Sequence, residues 1–326
     1  MNRTSLPKGD VVRLFVLTLL LFGVMAALNP DRFLTGRNFQ SMAFQFPELG
    51  LLALAVMIPL ITAGIHLSIV SIANLAGIMA ALVLTSGSGA ASDPSAPRLL
   101  AAILTGLATG ALCGACNGLL VGRLGLTPIL ATLGTLQLFM GFAFVITKGP
   151  AIAGFPEAYL WLGHAHPLGL PVPVLLFGAV ALATALLLNR TRFGLQLYLL
   201  GANTNAADYA GFNRPSLLLR TYLFSGIVAG SAGLLMIART NSAKADYGTS
   251  YLLQAILVAI LGGVNPNGGA GSVTGVVLAL LSLQFISSGF ASLRLSQFAQ
   301  EFAWGALLLL VMVINALANR KTRHPR

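Results

Sequence analysis

The chain has 326 residues, 56% hydrophobic and 8% charged, with a formal net charge of +11 and a mean hydropathy of +0.86. Soluble domains carry about a quarter charged residues, so the composition excludes a soluble globular protein and marks a polytopic membrane protein. It also removes the nucleic-acid partner that a basic excess would suggest in a soluble chain, because in a membrane protein the placement of Lys and Arg sets orientation.

A helix crossing a bilayer needs about 20 predominantly apolar residues, since lipid offers backbone groups no water. Ten such windows follow in chain order, at approximately 11–28, 42–63, 65–85, 99–122, 127–147, 171–188, 221–238, 249–263, 272–290 and 300–318. The first follows Arg3 and Lys8 as a signal-peptide core would, but its eighteen residues and the lack of a small-x-small pattern before Asn29 predict a retained helix. From Leu49 to Thr85 the only ionisable side chain is His66. As one helix these 37 residues would be about 55 Å long, too long for one crossing, so the stretch at Pro59 and Gly64 is predicted to break and start a third helix. The fourth window holds Cys113 and Cys116 among Gly110, Gly114 and Gly118. With no second Cys pair or nearby His, that spacing predicts close helix packing rather than redox or metal chemistry. The eighth window is too short for a full crossing and is re-entrant or broken.

Ten crossings put both termini on one side. There lie Arg3, Lys8, Arg13, Arg123, Arg190, Arg192, Arg214, Arg220, Arg320, Lys321, Arg323 and Arg326, twelve of the nineteen basic residues. That side is therefore cytoplasmic. The connection at about 189–220 is too polar for lipid, yet contains a helix-like "NTNAADYAG", with Asn203 or Thr204 to cap it and Gly211 to end it. On the opposite, periplasmic side, loops at about 86–98 and 148–170 are rich in Gly, Pro and Ser and have no core of their own. Residues 1–326 are read as one transmembrane domain.

No catalytic constellation is present. The eight carboxylates are Asp10, Asp31, Glu48, Asp93, Glu157, Asp208, Asp246 and Glu301. They are scattered, with Glu48 and Glu301 near the outer ends of their windows. The pair His164 and His166 has no matching acid or Cys, so no metal site is expected. The loop "LGGVNPNGGAGSVTG" lacks the Lys that a phosphate cradle needs. Its Gly262, Gly263, Gly268, Gly269 and Gly271 predict a tight cytoplasmic turn. A proton- or sodium-coupled carrier needs ionisable relays in mid-membrane. Their scarcity argues against a secondary transporter or channel and for energy supplied by a partner.

Four stretches resemble the permease subunits of bacterial ABC importers of the ribose and simple-sugar type, within the branched-chain amino acid and ribose permease superfamily. "TPILATLGTLQLFMGFAFVITKGP" is similar to the family's Ala-Thr-Leu-Gly-Thr segment. "TRFGLQLYLLGANTNAADYAGFNRPSLLLRTYLFSGIVAGSAGLL" resembles its cytoplasmic signature. "LLQAILVAILGGVNPNGGAGSVTGVVLALL" matches its Leu-Gly-Gly and Gly-Gly-x-Gly turn, and "GIHLSIVSIANLAG" corresponds to its Gly-Gly-Ile-Asp-Leu-Ser-Val-Gly-Ser. The resemblance covers about residues 40–318. It implies an all-α bundle of about ten transmembrane helices with a type II-like ABC-importer permease fold in the bacterial inner membrane. It also implies a second permease, as homo- or heterodimer, a cytoplasmic ABC ATPase carrying ATP and Mg, and a periplasmic sugar-binding protein. No cofactor falls to this chain, and its only other partner is membrane lipid. The coupling element in contact with the ATPase would be Gly201, Asn203, Asn205, Ala206, Ala207, Asp208 and Gly211, the two alanines allowing close approach. The implied cargo is a monosaccharide or related polyol, with nucleoside, autoinducer-type furanose and branched-chain amino-acid importers as relatives.

The sequence departs from the family where Ala63 replaces the first Gly, His66 stands at the Asp position and Val70 at the second Gly. Ser68, Ser71 and Asn74 fall within an arc of about 120° on a helix, opposite Ile65, Ile69, Ile72 and Ala76, so a polar face should turn inward. Two roles are open to His66: a hydrogen-bonding residue on the translocation pathway, or a structural donor at the junction between the second and third helices. Its place just after Pro59 and Gly64 favours the junction.

Overall fold

The computed structural model describes residues 8–86, 96–296, 298–307, 309 and 313. The apolar windows form helices that stop at the breaking residues. In order these are α1 (Lys8–Leu28), α2 (Pro30–Phe33), α3 (Gly36–Ile61), α4 (Ile69–Thr85), α5 (Ala96–Gly122) and α6 (Pro128–Thr147). There follow strand β1 (Ile152–Ala153), α7 (Glu157–His164), α8 (Val172–Arg190), α9 (Arg192–Ala202), α10 (Thr204–Tyr209) and α11 (Arg214–Thr240). The order ends with strand β2 (Ser242–Ala243), α12 (Tyr251–Leu261) and α13 (Val273–Ser292).

Seven of these, α1, α3, α5, α6, α8, α11 and α13, are long and apolar enough to cross a membrane. The third and eighth windows give shorter apolar helices, α4 of 17 residues and α12 of 11 residues, about 25 Å and 16 Å long. The tenth window is helical over 300–307. Its residues 308, 310–312 and 314–318, and the basic residues 320–326, lie outside the described residues, as do 1–7 and 87–95 of the loop expected at about 86–98.

Burial separates centre from rim. In α3 and α11, 78% of the best apolar window is inside the protein, against 11% in α1 and 28% in each of α5, α6 and α8. α5 packs along α11 and α4, α11 also along α3, and α6 against α4. The α5–α11 contact follows from composition: glycines at 106, 110, 114, 118 and 122 recur every fourth residue and carve a groove along one side of α5. A Cβ at Gly110, Gly114 or Gly118 would overlap the backbone of Gly226, Tyr222 or Leu219. Cys113 and Cys116 lie on this closely packed helix, Cys113 buried and Cys116 half-buried. A Gly226→Val change, whose branched side chain would strike the Gly110 carbonyl, is expected to cost about 3 kcal/mol by overpacking, seen as a lowered melting temperature in detergent.

At the rim, α1 lies on α13. Thr18 Oγ1 and Ser282 Oγ share a hydrogen bond of 2.8 Å, and the Phe22 ring sits 5.6 Å from Phe33 and 5.2 Å from Phe285.

Two local expectations need correcting. The third helix begins at Ile69, so His66 lies in non-helical backbone and Ser68 only at the N-cap position. The polar side of α4 does turn inward, but Ile69, Ile72 and Ala76 are as buried as Ser71 and Asn74. Surrounded by α3, α5, α6 and α11, α4 has no apolar side left for lipid over these turns. Between 148 and 170 the sequence suggested only a loop, yet α7 forms there. Its Tyr159 hydroxyl donates to Leu234 O at 2.9 Å, Gly163 abuts the Ala238 carbonyl, and β1 pairs antiparallel with β2, Ile152 opposite Ala243.

Candidate functional site

After Pro59 the chain leaves α3 in a tight turn, with the Thr62 and Gly64 amides donating to Pro59 O at 2.9 and 3.0 Å. His66 then enters the bundle with no exposed surface. Its Nδ1 lies 2.7 Å from Ser225 Oγ on α11, and its Nε2 lies 3.0 Å from Asn117 Nδ2 on α5. Ser225 Oγ uses its own proton on Ala55 O at 2.6 Å, so it must accept from His66, which assigns the neutral Nδ1–H tautomer. Nε2 then accepts from Asn117.

The network closes on itself. Asn117 Nδ2 also donates to Ser68 Oγ at 2.8 Å, and Thr135 Oγ1 on α6 donates to Asn117 Oδ1 at 2.6 Å. Next to it Thr132 Oγ1 contacts Ile65 O at 3.1 Å. Five side chains from four parts of the chain thus meet at one buried point, and both ring nitrogens of His66 are in use. Buried polar groups are tolerable only when so satisfied.

Of the four residues singled out in the sequence here, His66 and Ser68 belong to this network. Ser71 bonds locally to Ser68 O at 2.9 Å. Asn74 is apart from it and grips the approach to α12, donating to Ala245 O and Tyr247 O at 2.9 Å each. Sequence reading missed Asn117, Thr135 and Ser225. Asn117 is the only amide side chain in α5, which was the available signal.

Ala63, where the family usually has Gly, sits in the left-handed region at φ 61. For a residue with a Cβ that conformation costs roughly 1–2 kcal/mol. Ala63→Gly is accordingly expected to raise stability by about 1 kcal/mol, measured as a higher melting temperature in detergent; a lowered one would contradict the strain.

The segment expected to be the coupling element and the glycine turn lie together at the end of the bundle that carries Arg123, Arg190, Arg192, Arg214 and Arg220. Asn203 caps α10, its Oδ1 accepting from the Ala206 amide at 3.0 Å, and Gly211 ends the turn after it at φ 75. Asn205, Ala206, Asp208 and Gly211 are exposed, Gly201 is half-buried and Tyr209 is 93% exposed. Ala207 is the buried residue of α10, because this short helix presses one side onto the protein.

Gly201, at the end of α9, touches the Ile61 carbonyl so closely that any Cβ would overlap it. That carbonyl accepts from the Gly269 amide at 2.8 Å. Gly268 and Gly269 have φ values of 85 and 79, and a Cβ on Gly268 would come within 2.8 Å of Ala63 N. Gly262 abuts Val276, and Gly271 O accepts from the Tyr198 hydroxyl at 2.8 Å. Burial pushes that phenol up to about 12, which keeps it a donor. Gly263 completes the turn at φ 83.

Glu48 corrects another expectation. Because α3 starts at Gly36, Glu48 lies twelve residues inside the helix rather than near its end. It is fully buried and pairs with Arg239 of α11: Nε donates to Oε1 at 2.5 Å and Nη2 to Oε2 at 2.9 Å. The bundle therefore does hold a charge pair, buried at its Glu48 end and partly exposed at Arg239. Among the described residues no group of three or more His, Cys, Asp or Glu could hold a metal ion.

An apolar bundle with seven membrane-length helices, a buried hydrogen-bonded junction and a capped helix exposed at its basic end defines a multi-pass membrane protein. Residues 38–317 match the family model described as branched-chain amino acid transport system / permease component, and the chain belongs to that family. Over 306 residues it is 31% identical to the D-allose transport system permease protein of Escherichia coli strain K12, covering 94% of this chain and 91% of that one. It is 33% identical to the autoinducer 2 import system permease protein of Enterobacter sp. strain 638, covering 96% of each, and 32% identical to the ribose import permease protein of Escherichia coli strain K12, covering 91% of each. No solved structure matches the chain. The protein is a permease subunit of a bacterial ABC importer, resident in the inner membrane, and it does no covalent chemistry of its own.

Proposed function

We propose that this chain carries a monosaccharide or related polyol across the inner membrane as a single transmembrane domain of about ten helices in a type II-like arrangement. Both termini are cytoplasmic. It pairs with a second permease, identical or related. A cytoplasmic ABC ATPase binds ATP and Mg, and a periplasmic sugar-binding protein docks on the outer face. The observation that carries the reading is similarity over more than nine-tenths of the chain to permeases named for allose, ribose and autoinducer 2.

The loop at about 189–220 is the coupling loop. Gly201, Asn203, Asn205, Ala206, Asp208 and Gly211 shape α10 and its flanks, Ala207 anchors α10 to the bundle, and exposed Tyr209 adds an apolar tip for a groove on the ATPase. Movement of α10 passes to the bundle as a rigid-body shift that opens one side and closes the other. The complete hydrogen bonding of His66 supports a structural part at the junction, with Ser68, and Ser71 and Asn74 hold the neighbouring turns. The glycines at 262, 263, 268, 269 and 271 keep the turn close enough to follow the coupling loop. An autoinducer-type furanose is the second reading, supported by the 33% identity to the autoinducer 2 permease; nucleosides and branched-chain amino acids are the remaining alternatives.

The test is reconstitution in proteoliposomes with an ABC ATPase and a sugar-binding protein from the same organism. Uptake of labelled pentoses or hexoses is expected only with ATP on the ATPase side and the binding protein outside. Uptake driven by a proton or sodium gradient without ATP would overturn the proposal.

A further inference from the structure

We infer that residues 61–64 are the hinge through which movement of the coupling loop reaches the bundle, and that the Tyr222 hydroxyl is a donor held in reserve for the hinge's second position. The inference rests on the ABC-permease reading and adds to it a named moving part and a positioning residue.

Three independent observations meet at this segment. The first is a mechanical link. The Ile61 carbonyl is in contact with Gly201 and accepts from the Gly269 amide at 2.8 Å, while Gly268 lies against Ala63. α10 starts two residues after α9 ends, so little slack separates the exposed coupling helix from Ile61. A displacement of α10 cannot leave residues 61–63 in place without opening that contact. The second is backbone strain. Ala63 holds a left-handed conformation at φ 61 that only the surrounding contacts impose, and such outliers gather at segments that switch.

The third is an unmet donor. Around His66 every polar side chain is paired, yet Tyr222, with no exposed surface and its ring edge-on to His66 at 5.1 Å, has a hydroxyl without any hydrogen-bond partner. That hydroxyl points at Gly64: a Cβ there would lie 2.7 Å from it and 3.4 Å from Pro59 O. Pro59 O is not its partner in this position; it accepts from the Thr62 amide, the Gly64 amide and Thr62 Oγ1 at 2.9, 3.0 and 2.7 Å. Buried hydroxyls without partners are rare and call for a reason. When the turn at 62–64 opens, Ala63 leaves the left-handed region, the two amides let go of Pro59 O, and that oxygen becomes the acceptor for Tyr222. One of the two hydrogen bonds lost by the turn is thereby replaced by one to α11, which supports the second position.

Tyr222→Phe tests this in the whole complex of permease, ATPase and binding protein in proteoliposomes. The resting state loses only an unpaired group, so the melting temperature should stay level or rise. Substrate taken up per ATP hydrolysed should fall roughly three- to tenfold, the factor that one hydrogen bond confined to the second position supplies, with the KM for loaded binding protein unchanged. An unchanged uptake-to-hydrolysis ratio overturns the inference. So does a lowered melting temperature with uptake and hydrolysis falling in proportion, which would mean that the hydroxyl is bonded in the resting state. Failure of the ABC-permease reading is seen separately, as ATP-independent uptake by the parent complex before any variant is assayed.

Discussion

Arg239→Met is expected to destabilise the protein by about 3–5 kcal/mol, because it leaves the Glu48 carboxylate charged, buried and alone. The two partners are not equivalent. The Glu48 side chain is 1% exposed while that of Arg239 is 28% exposed, so Arg239 retains access to solvent when its partner is neutralised. Glu48→Gln, which keeps an acceptor for the guanidinium, should therefore cost only about 1–2 kcal/mol. The double change Glu48→Leu with Arg239→Met replaces the pair by apolar side chains of similar bulk and should recover most of the loss, since a buried ion pair rarely outperforms good packing. Melting temperatures of the four proteins in one detergent check all three statements. Equal losses for the two single variants would show that the exposed end of Arg239 does not relieve it.

Asn117→Leu is the second change with a large effect. It takes the donor from His66 Nε2, the donor from Ser68 Oγ and the acceptor from Thr135 Oγ1, while adding apolar bulk at a site with no exposed surface. Interhelical hydrogen bonds in membranes are worth about 0.6 kcal/mol each on average and about 1.7 at most, so with three lost and bulk added the loss is expected at about 2–4 kcal/mol, read by thermal unfolding. Thr135→Val removes one of these bonds and should cost about 1 kcal/mol; a similar loss for both variants would mean that Asn117 is not the centre of the network. His66→Asp, which places the family's usual residue at this position, should leave substrate preference in the uptake assay unchanged, because the imidazole is enclosed and both its nitrogens are occupied. A shifted preference would move His66 onto the translocation pathway.

Much of the architecture was legible before any coordinates. Apolar windows located the membrane helices because the cost of placing charge in lipid is imposed residue by residue along the chain. The break at Pro59 and Gly64 followed from length, since no single helix crosses with the run from Leu49 to Thr85. The α10 cap at Asn203 was readable because capping is decided within four residues. The fourfold repeat of glycines in α5 announced close packing for the same local reason, without naming α11 as the neighbour. Helix starts were less secure. α3 extends outward to Gly36 through "GRNFQ", a polar turn that no apolar window includes, and this moved Glu48 from a helix end to its interior. α7 was invisible because its eight residues stand among Gly and Pro breakers, and its stability comes from Tyr159 and Gly163 docking on α11.

The sequence by itself determined the class of protein, the seven membrane-length apolar helices among its ten windows, the basic end of the bundle and the exposed capped helix. All of these rest on composition or on interactions within one or two turns. Only the tertiary structure decided which polar groups meet. Glu48 finds Arg239 across 191 residues, His66 finds Ser225 across 159 and Asn117 across 51, and Gly201 finds Ile61. Partners of that kind depend on how far each helix is rotated and slid against its neighbours. Those two quantities are set by the fit of whole faces, such as the glycine side of α5 on α11, rather than by any residue read in its own stretch of chain.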